Sequence, residues 1–360
     1  MSNRSPAARA LPEQASPAER LARLIAANGP VSVAQYMAEA NAHYYATRDP
    51  FGRGGDFVTA PEISQMFGEL VGLWLADLWV RSGRPRDAHY VELGPGRGTL
   101  AADALRAMKK AGLAPTVELV ETSPVLREAQ RARVPQARWH DSLDGLPAEG
   151  PLLVVANEFF DALPIRQLVK TEHGWHERMV ALIEGRFAPA AGPLLGDSFI
   201  PAPLRAAPAG AILEASPASC AIAQELGARI AAQGGAALIV DYGHVRSSVG
   251  ETLQAVRAHD HADPWDEPGE RDLTAHVDFE AFAAAAAQPG VRIHGPAEQG
   301  EWLRAMGIDM RAAALARAAP HRAEEIEQAR SRLTDPEEMG RLFKVLAMVG
   351  SGWPAPAALP

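Results

Sequence analysis

A single cysteine, Cys220, stands among 360 residues, so no disulfide can form within the chain and a thiolate-rich zinc or iron–sulfur site is excluded. That scarcity predicts a reducing compartment. Long hydrophobic runs are missing too: no stretch approaches the roughly 18 apolar residues of a membrane-spanning helix, and the amino-terminal segment holds no apolar core of signal-peptide length. The expectation is a soluble, unsecreted protein without a membrane span. Arg4 and Arg9 lend the amino terminus a faint transit-peptide character, which Pro12 and Glu13 interrupt. Positive charge is in the minority. Against 35 Lys and Arg stand 44 Asp and Glu, a formal charge of -9, which opposes any partner held chiefly through neutralised phosphates and removes nucleic acid from the expected partners. Aromatic residues make up only 6%, yet the 47% apolar content excludes wholesale disorder.

What is present begins with helix signals. Ser16-Pro17-Ala18-Glu19 is a capping box with proline at the first helical position, and Leu21, Leu24 and Ile25 recur at helical spacing until Asn28-Gly29. Ser32 with Gln35 opens a second helix. Thr59 with Glu62 predicts a longer one, whose Ile63, Met66, Phe67, Leu70, Val71, Trp74 and Leu78 form an apolar face ending near Gly83. Between them TRDPFGRGGDFVTAP, with three glycines, reads as a linker or lid. After Arg86 strand and helix patterns alternate through AHYVEL, TLAADALRAMKKAG, PTVELVE, SPVLREAQRAR, ARWH and PLLVVAN. This alternation predicts an α/β fold, a Rossmann-like doubly wound parallel sheet with right-handed crossovers. AALIVDYG is a further buried strand, apolar through Val240 and ending in Asp241.

The expected division is residues 1–60 as N-terminal helices and a glycine-rich lid, and 61–257 as the core with a Pro/Gly-rich insertion at about 184–211. A helical insertion over 258–339 is suited to client docking or dimerisation, and a closing edge strand and tail fill 340–360. Thr252–Arg257 and Leu342–Met348 are the expected edge strands of the main sheet.

The most informative segment is VELGPGRGTL, a strand ending at Leu93, glycines at 94, 96 and 98, then a helix. Glycine there supplies unusual backbone angles and lets a ligand approach the helix amino end. Glu121 follows Gly98 by 23 residues at the end of the next strand, where a carboxylate can accept both ribose hydroxyls of an adenosine. The spacing is G-x-G-x-G, not the G-x-G-x-x-G that cradles a pyrophosphate, and Glu92 precedes it. A carboxylate there repels pyrophosphate and attracts the ammonium or sulfonium of S-adenosylmethionine. The alternative is a tight turn with Glu92 solvated or capping.

With these residues in hand, the sequence resembles the class I S-adenosylmethionine-dependent methyltransferases, and within them the MidA family, whose mitochondrial members are complex I assembly-factor methyltransferases. The resemblance rests on GDFVTAPEISQMFGELVGLW, ELGPGRGTL, ETSPVLREAQ, ANEFFDALP, DLTAHVDF and GRLFKVL, which together reach from Gly55 to Leu346. It implies that Glu92, Gly94, Gly96 and Gly98 line the methionine end of the cofactor, that Glu121 holds its ribose, and that Asp141, Ser142 and Leu143 form the adenine-side loop. Asp141 as a helix cap is the competing reading. The glycine-rich loop ahead of the long helix would fold over the cofactor, with Asp56, Thr59 and Ser64 offering polar contacts, although Thr59 also suits a helix cap.

The loop after PLLVVAN leaves the carboxyl end of a central strand beside the cofactor crevice, where such enzymes meet their acceptor. It reads Asn157-Glu158-Phe159-Phe160-Asp161. Carboxylates that grip a guanidinium bidentately orient it and take its proton. Glu158 is therefore assigned to clamping and proton acceptance, Asp161 to a second clamp or support, and Asn157 to the cofactor or acceptor; Asp161 as a turn cap and the two phenylalanines as core are the alternatives. The resemblance implies a protein client with an acceptor arginine, a respiratory complex I subunit, and symmetric dimethylation. Bacterial cytoplasm is the favoured location, with the mitochondrial matrix for a eukaryotic chain. His259, Asp260, His261 and Asp263 lack helical ligand spacing and read as a loop face, so no metal is expected. Asp272, His276 and Asp278 line the acceptor cleft or cap helices. Two other classes compete: an assembly chaperone retaining the fold, and an NAD-dependent oxidoreductase, which Glu92 and the short glycine spacing disfavour.

Overall fold

The computed structural model describes residues 15–48, 58–257 and 260–360. Seven strands build the central sheet: β1 (His89–Leu93), β2 (Thr116–Val120), β3 (Arg138–His140), β4 (Leu152–Asn157), β5 (Gly235–His244), β6 (Val291–Glu298) and β7 (Phe343–Gly350). Their spatial order is β6-β7-β5-β4-β1-β2-β3, with a two-residue strand, Val277–Asp278, alongside the end of β5. β1 to β5 run parallel, and β7 enters antiparallel between β5 and β6. The order reverses direction between β1 and β4, the place where a doubly wound sheet opens a crevice at its carboxyl edge. β4 and β7 are buried along their whole length and β1 likewise, as expected of strands covered on both faces.

Helices Gln65–Arg81 and Thr99–Lys110 cover one face, packing with Tyr90, Leu119, Val155 and Leu238. The two helices lie so close that a Cβ on Gly72 would stand 2.3 Å from the Ala104 carbonyl oxygen. Pro217–Gln233 and Phe279–Ala286 cover the other face. A five-stranded sheet, built around Arg166–Thr171, Gly174–Ile183, Arg186–Leu195 and Ile212–Ala215, stands beside the core. The N-terminal helices Pro17–Asn28 and Val33–Thr47 share a second core with it through Leu21, Tyr36, Ile165 and Val180.

The Ser16 capping box forms as expected, and Ser32 caps the second helix through the Gln35 amide. The third helix departs from the reading. Ala60–Ile63 is a single turn for which Thr59 makes no side-chain cap, the chain extends at Ser64, and Ser64 then caps Gln65–Arg81 through the Met66 amide. Gln254–Arg257 is a strand but not an edge of the main sheet; it pairs with Asp260–Ala262 and Asp272–Thr274 in a separate three-stranded sheet. Residues 258–339 are not wholly helical either, because β6 lies among them and forms the true edge of the central sheet, so the expected edge strand at Leu342–Met348 is instead an inner one, paired on both sides. Asp56 and His259 lie outside the described residues.

Candidate functional site

Gly94, Gly96 and Gly98 all take positive φ, at 60°, 51° and 79°, so the turn from β1 to helix Thr99–Lys110 uses the freedom that glycine alone offers cheaply. A Cβ on Gly94 would stand 2.8 Å from the Phe159 ring. The turn thereby brings its main chain against the loop that holds Glu158 and Phe159. Glu92, the penultimate residue of β1, is 2% exposed and accepts a hydrogen bond from the Tyr90 hydroxyl at 2.6 Å. Burial pushes its carboxyl up to about 8, an effect the phenol hydrogen bond opposes.

One residue past β2, Glu121 is buried and accepts from the Ser123 amide at 2.7 Å and from Gln130 Nε2 at 3.3 Å. Gln130 Nε2 also donates to the Gly96 carbonyl at 2.7 Å, and its Oε1 accepts from Trp139 Nε1 at 2.8 Å. A fully buried glutamine thus ties the glycine turn to the Glu121 carboxylate. Its place in a helix gave no sequence signal for this role.

Glu158 follows β4 with φ 50°, a left-handed conformation that costs a non-glycine residue on the order of 1–3 kcal/mol. Its Oε1 accepts from the Ala60 amide at 3.0 Å and from Asn157 Nδ2 at 3.1 Å. Desolvation raises its carboxyl to about 8, those hydrogen bonds lower it, and the Asp161 charge raises it. Asn157 Oδ1 and Asp161 Oδ1 are buried without a hydrogen-bond partner among the described residues. Asp161 Oδ2 accepts from the Tyr242 hydroxyl at 2.6 Å, and burial raises its pKa.

The anchor of this loop is Asp241, fully buried near the end of β5. Its Oδ2 faces three consecutive amides, Phe159 at 3.2 Å, Phe160 at 3.0 Å and Asp161 at 3.3 Å, while Oδ1 accepts from the Tyr242 amide at 3.0 Å. Burial first, and then the charges of Asp161 and Glu158, push the Asp241 carboxyl well up. The sequence marked Asp241 as the end of a buried strand without giving it a task.

These parts enclose a cavity of about 680 Å³. Gly94, Gly96 and Glu121 line one part; Glu158, Phe159, Asp161 and Tyr242 line another; Tyr45, Asp272, Thr274 and His276 complete it. A smaller pocket of about 30 Å³, lined by Thr59, Glu92, Asn157 and Arg97, shares Gly94, Gly96 and Glu158 with it. Thr59 therefore lines the small pocket beside Glu92, whereas Ser64 is engaged in its cap. Asp141 is exposed and ion-paired with Arg127 at 2.6 Å, Ser142 is exposed, and Leu143 sits in the core. None of the three is among the residues lining the cavity.

The donor set suits S-adenosylmethionine. A buried carboxyl, Glu92, and Asn157 Oδ1, without a partner among the described residues, lie by the pocket at the glycine turn, where the ammonium of the methionine end would require acceptors, and Glu121 would offer its carboxylate to a ribose. When bound, this group supplies a methyl activated on a sulfonium. The sheet order with its antiparallel β7, the glycine turn and the strand-end carboxylate together define a class I S-adenosylmethionine-dependent methyltransferase.

A family model described as "Putative S-adenosyl-L-methionine-dependent methyltransferase" matches residues 70–297. The chain belongs to this family, the MidA-like methyltransferases. It is similar to the mitochondrial protein arginine methyltransferase NDUFAF7 homolog of Drosophila melanogaster, 39% identical over 92% of this chain and 84% of that one. The mitochondrial protein arginine methyltransferase NDUFAF7 of Homo sapiens is 35% identical over 90% and 81%. Among solved structures, a COG1565 superfamily member from Burkholderia thailandensis bound to S-adenosyl-homocysteine superposes with a TM-score of 0.84 at 30% identity, over 95% of this chain and 93% of that one. Among the described residues no group of side chains suited to a metal ion occurs, and no helix is long and apolar enough to cross a membrane.

Proposed function

We propose that this methyltransferase transfers a methyl group to a guanidinium nitrogen of an arginine in a protein client, and that the client is a subunit of respiratory complex I. The carrying observation is that Glu158 and Asp161 line the same cavity as Gly94, Gly96 and Glu121. The names of the relatives, protein arginine methyltransferases, support the acceptor class, and their description as mitochondrial supports action in that organelle rather than the bacterial cytoplasm expected from the sequence.

A guanidinium is planar and always charged, so it needs carboxylates for orientation and for proton removal. Glu158 is oriented by the Ala60 amide and Asn157, and stands where the two cavities meet. An arriving cation favours its ionised form, and the strongly raised carboxyl then holds the proton that the nitrogen must shed. The carbon–nitrogen bond forms from the nitrogen lone pair as the carbon–sulfur bond breaks with its electrons left on sulfur. Positioning supplies much of the rate in such a displacement.

The test is incubation of the purified chain with methyl-labelled S-adenosylmethionine and isolated complex I subunits, followed by acid hydrolysis. Label in methylarginine supports the reading, and symmetric dimethylarginine defines the product fully. Label in lysine or histidine, or label released as methanol during the hydrolysis, overturns the acceptor assignment.

A further inference from the structure

The acceptor side of the large cavity carries more than the two carboxylates of the Glu158 loop. Asp272, in the three-stranded sheet, lines it as well, and its Oδ1 accepts from the Tyr45 hydroxyl at 2.9 Å. Asp161 is held in the same manner by Tyr242. Two carboxylates are thus each fixed by one phenol, and all four residues line one cavity. Asp161 is 6% exposed and Asp272 4% exposed. The pairs stand close enough to feel one another, since the charges of Asp272 and then Asp161 both push the Tyr45 phenol up, after burial itself.

The two pairs also come from separate parts of the fold that are bolted together. Asn41, on the same helix as Tyr45, donates to the carbonyls of Ala162 at 3.0 Å and Leu273 at 2.7 Å and accepts from the Leu273 amide at 3.1 Å. One buried asparagine therefore spaces the segment after Asp161 from the strand that holds Asp272. Rigid spacing of this kind is what recognition of a planar, forked cation requires. Glu158 differs from the pair in lining the small pocket beside Glu92 as well.

Resting on the arginine reading above, we propose that Asp161, set by Tyr242, and Asp272, set by Tyr45, are the two jaws that seat the acceptor guanidinium, while Glu158 acts at the nitrogen facing the cofactor. Asp161 keeps one oxygen, the buried Oδ1, that accepts no hydrogen bond among the described residues. A guanidinium brings five N–H donors in one plane and so meets two separated carboxylates at once; an ammonium concentrates its charge at one point and satisfies such a seat poorly. Asp272 and Tyr45 are on this view acceptor-selecting residues.

The experiment is calorimetric titration of the chain, saturated with S-adenosylhomocysteine, with N-acetyl-arginine methylamide and with the matching lysine compound. The arginine probe binds wild type saturably, and the lysine probe binds at least about tenfold more weakly. Asp272→Asn weakens the arginine probe by roughly ten- to hundredfold, the size expected for a lost charged hydrogen bond, and leaves S-adenosylhomocysteine affinity unchanged. Tyr45→Phe, which removes one oxygen only, weakens it severalfold and decides the matter should Asp272→Asn fail to fold. The seat is overturned by an unsaturable wild type, by equal affinity for both probes, or by variants that keep the cofactor product and bind arginine as wild type does. Methylarginine formation by Asp272→Asn with an unchanged KM would sink the seat alone; label on another residue type would sink the arginine reading itself.

Discussion

Tyr90 donates its phenol proton to the Glu92 carboxylate across 2.6 Å, with both side chains shut away from solvent inside β1. The unliganded carboxyl sits at about 8, so the ammonium of the ligand's amino acid end must draw it into the ionised form. Affinity for S-adenosylhomocysteine is therefore expected to rise between pH 6 and 8. Titration calorimetry across that range checks it. Glu92→Gln flattens the rise, and Tyr90→Phe, lacking the donor that favours the ionised carboxylate, moves it to higher pH.

The same groups set the stability of the unliganded chain. Glu92 and Glu158 are both raised from about 4.5 to about 8, so the folded state binds these protons more tightly than the unfolded one. Their contribution is complete below the unfolded value and is lost as pH climbs through the folded value. Wild type should melt at a lower temperature at pH 8 than at pH 5.5 by a margin that shrinks in the Glu92→Gln, Glu158→Gln double variant. A double variant with the full wild-type slope would refute the assignment.

Glu121→Ala should weaken S-adenosylhomocysteine by about tenfold or more, the loss of hydrogen bonds to a charged acceptor, with little change in the melting temperature of the unliganded chain. Gln130→Leu should act differently. It strips partners from Glu121, the Gly96 carbonyl and Trp139 together, so both stability and cofactor affinity fall, by roughly 1–3 kcal/mol in unfolding free energy. Urea titration beside calorimetry separates the two variants.

Asp241→Ala leaves the amides of Phe159, Phe160 and Asp161 without their side-chain acceptor. Unfolding free energy is expected to drop by about 3 kcal/mol. At temperatures where the variant is folded, methyl transfer should be slowed far more than S-adenosylhomocysteine binding is weakened, since the anchor serves the acceptor loop. Equal losses in both would place Asp241 with the cofactor instead.

Gly94→Ala adds a methyl where φ is 60° and the Phe159 ring is 2.8 Å away. The strain and contact together should cost about 1–3 kcal/mol. Trimming the neighbour in a Gly94→Ala, Phe159→Ala protein relieves the contact but not the backbone strain, so partial recovery relative to Phe159→Ala alone is the expected pattern in thermal melts.

The parts of this structure legible in the sequence are those whose signals are local. β1, the glycine turn and its helix announce themselves within ten residues, and Glu121 ends the next apolar strand. Gln130 and Asp241 were opaque as functional residues because their partners lie elsewhere in the chain. A glutamine in a helix reads as a helix former, and an aspartate closing an apolar strand reads as a boundary. The sheet joined by a strand is likewise a long-range matter: Gln254–Arg257 has strand character yet pairs outside the central sheet. β6 was hidden for another reason. Its sequence VRIHGPAE carries Gly295 and Pro296, its ladder is irregular between His294 and Ala297, and no position in it is fully buried. An edge strand covered on so little of its surface has no need of a continuous apolar run.

Asn41 joins the second helix of the chain to segments more than a hundred residues downstream, and Leu342 and Phe343 close the cavity from the far end of the sequence. A ribosome that has delivered the glycine turn and the acceptor carboxylates has still not delivered a reaction chamber. Any chain interrupted before β7 lacks a fully buried inner strand of the central sheet as well as the Phe343 that lines the cavity. The cavity is thereby complete only when synthesis nearly is, and a product truncated there has the candidate residues without the wall that Phe343 gives them.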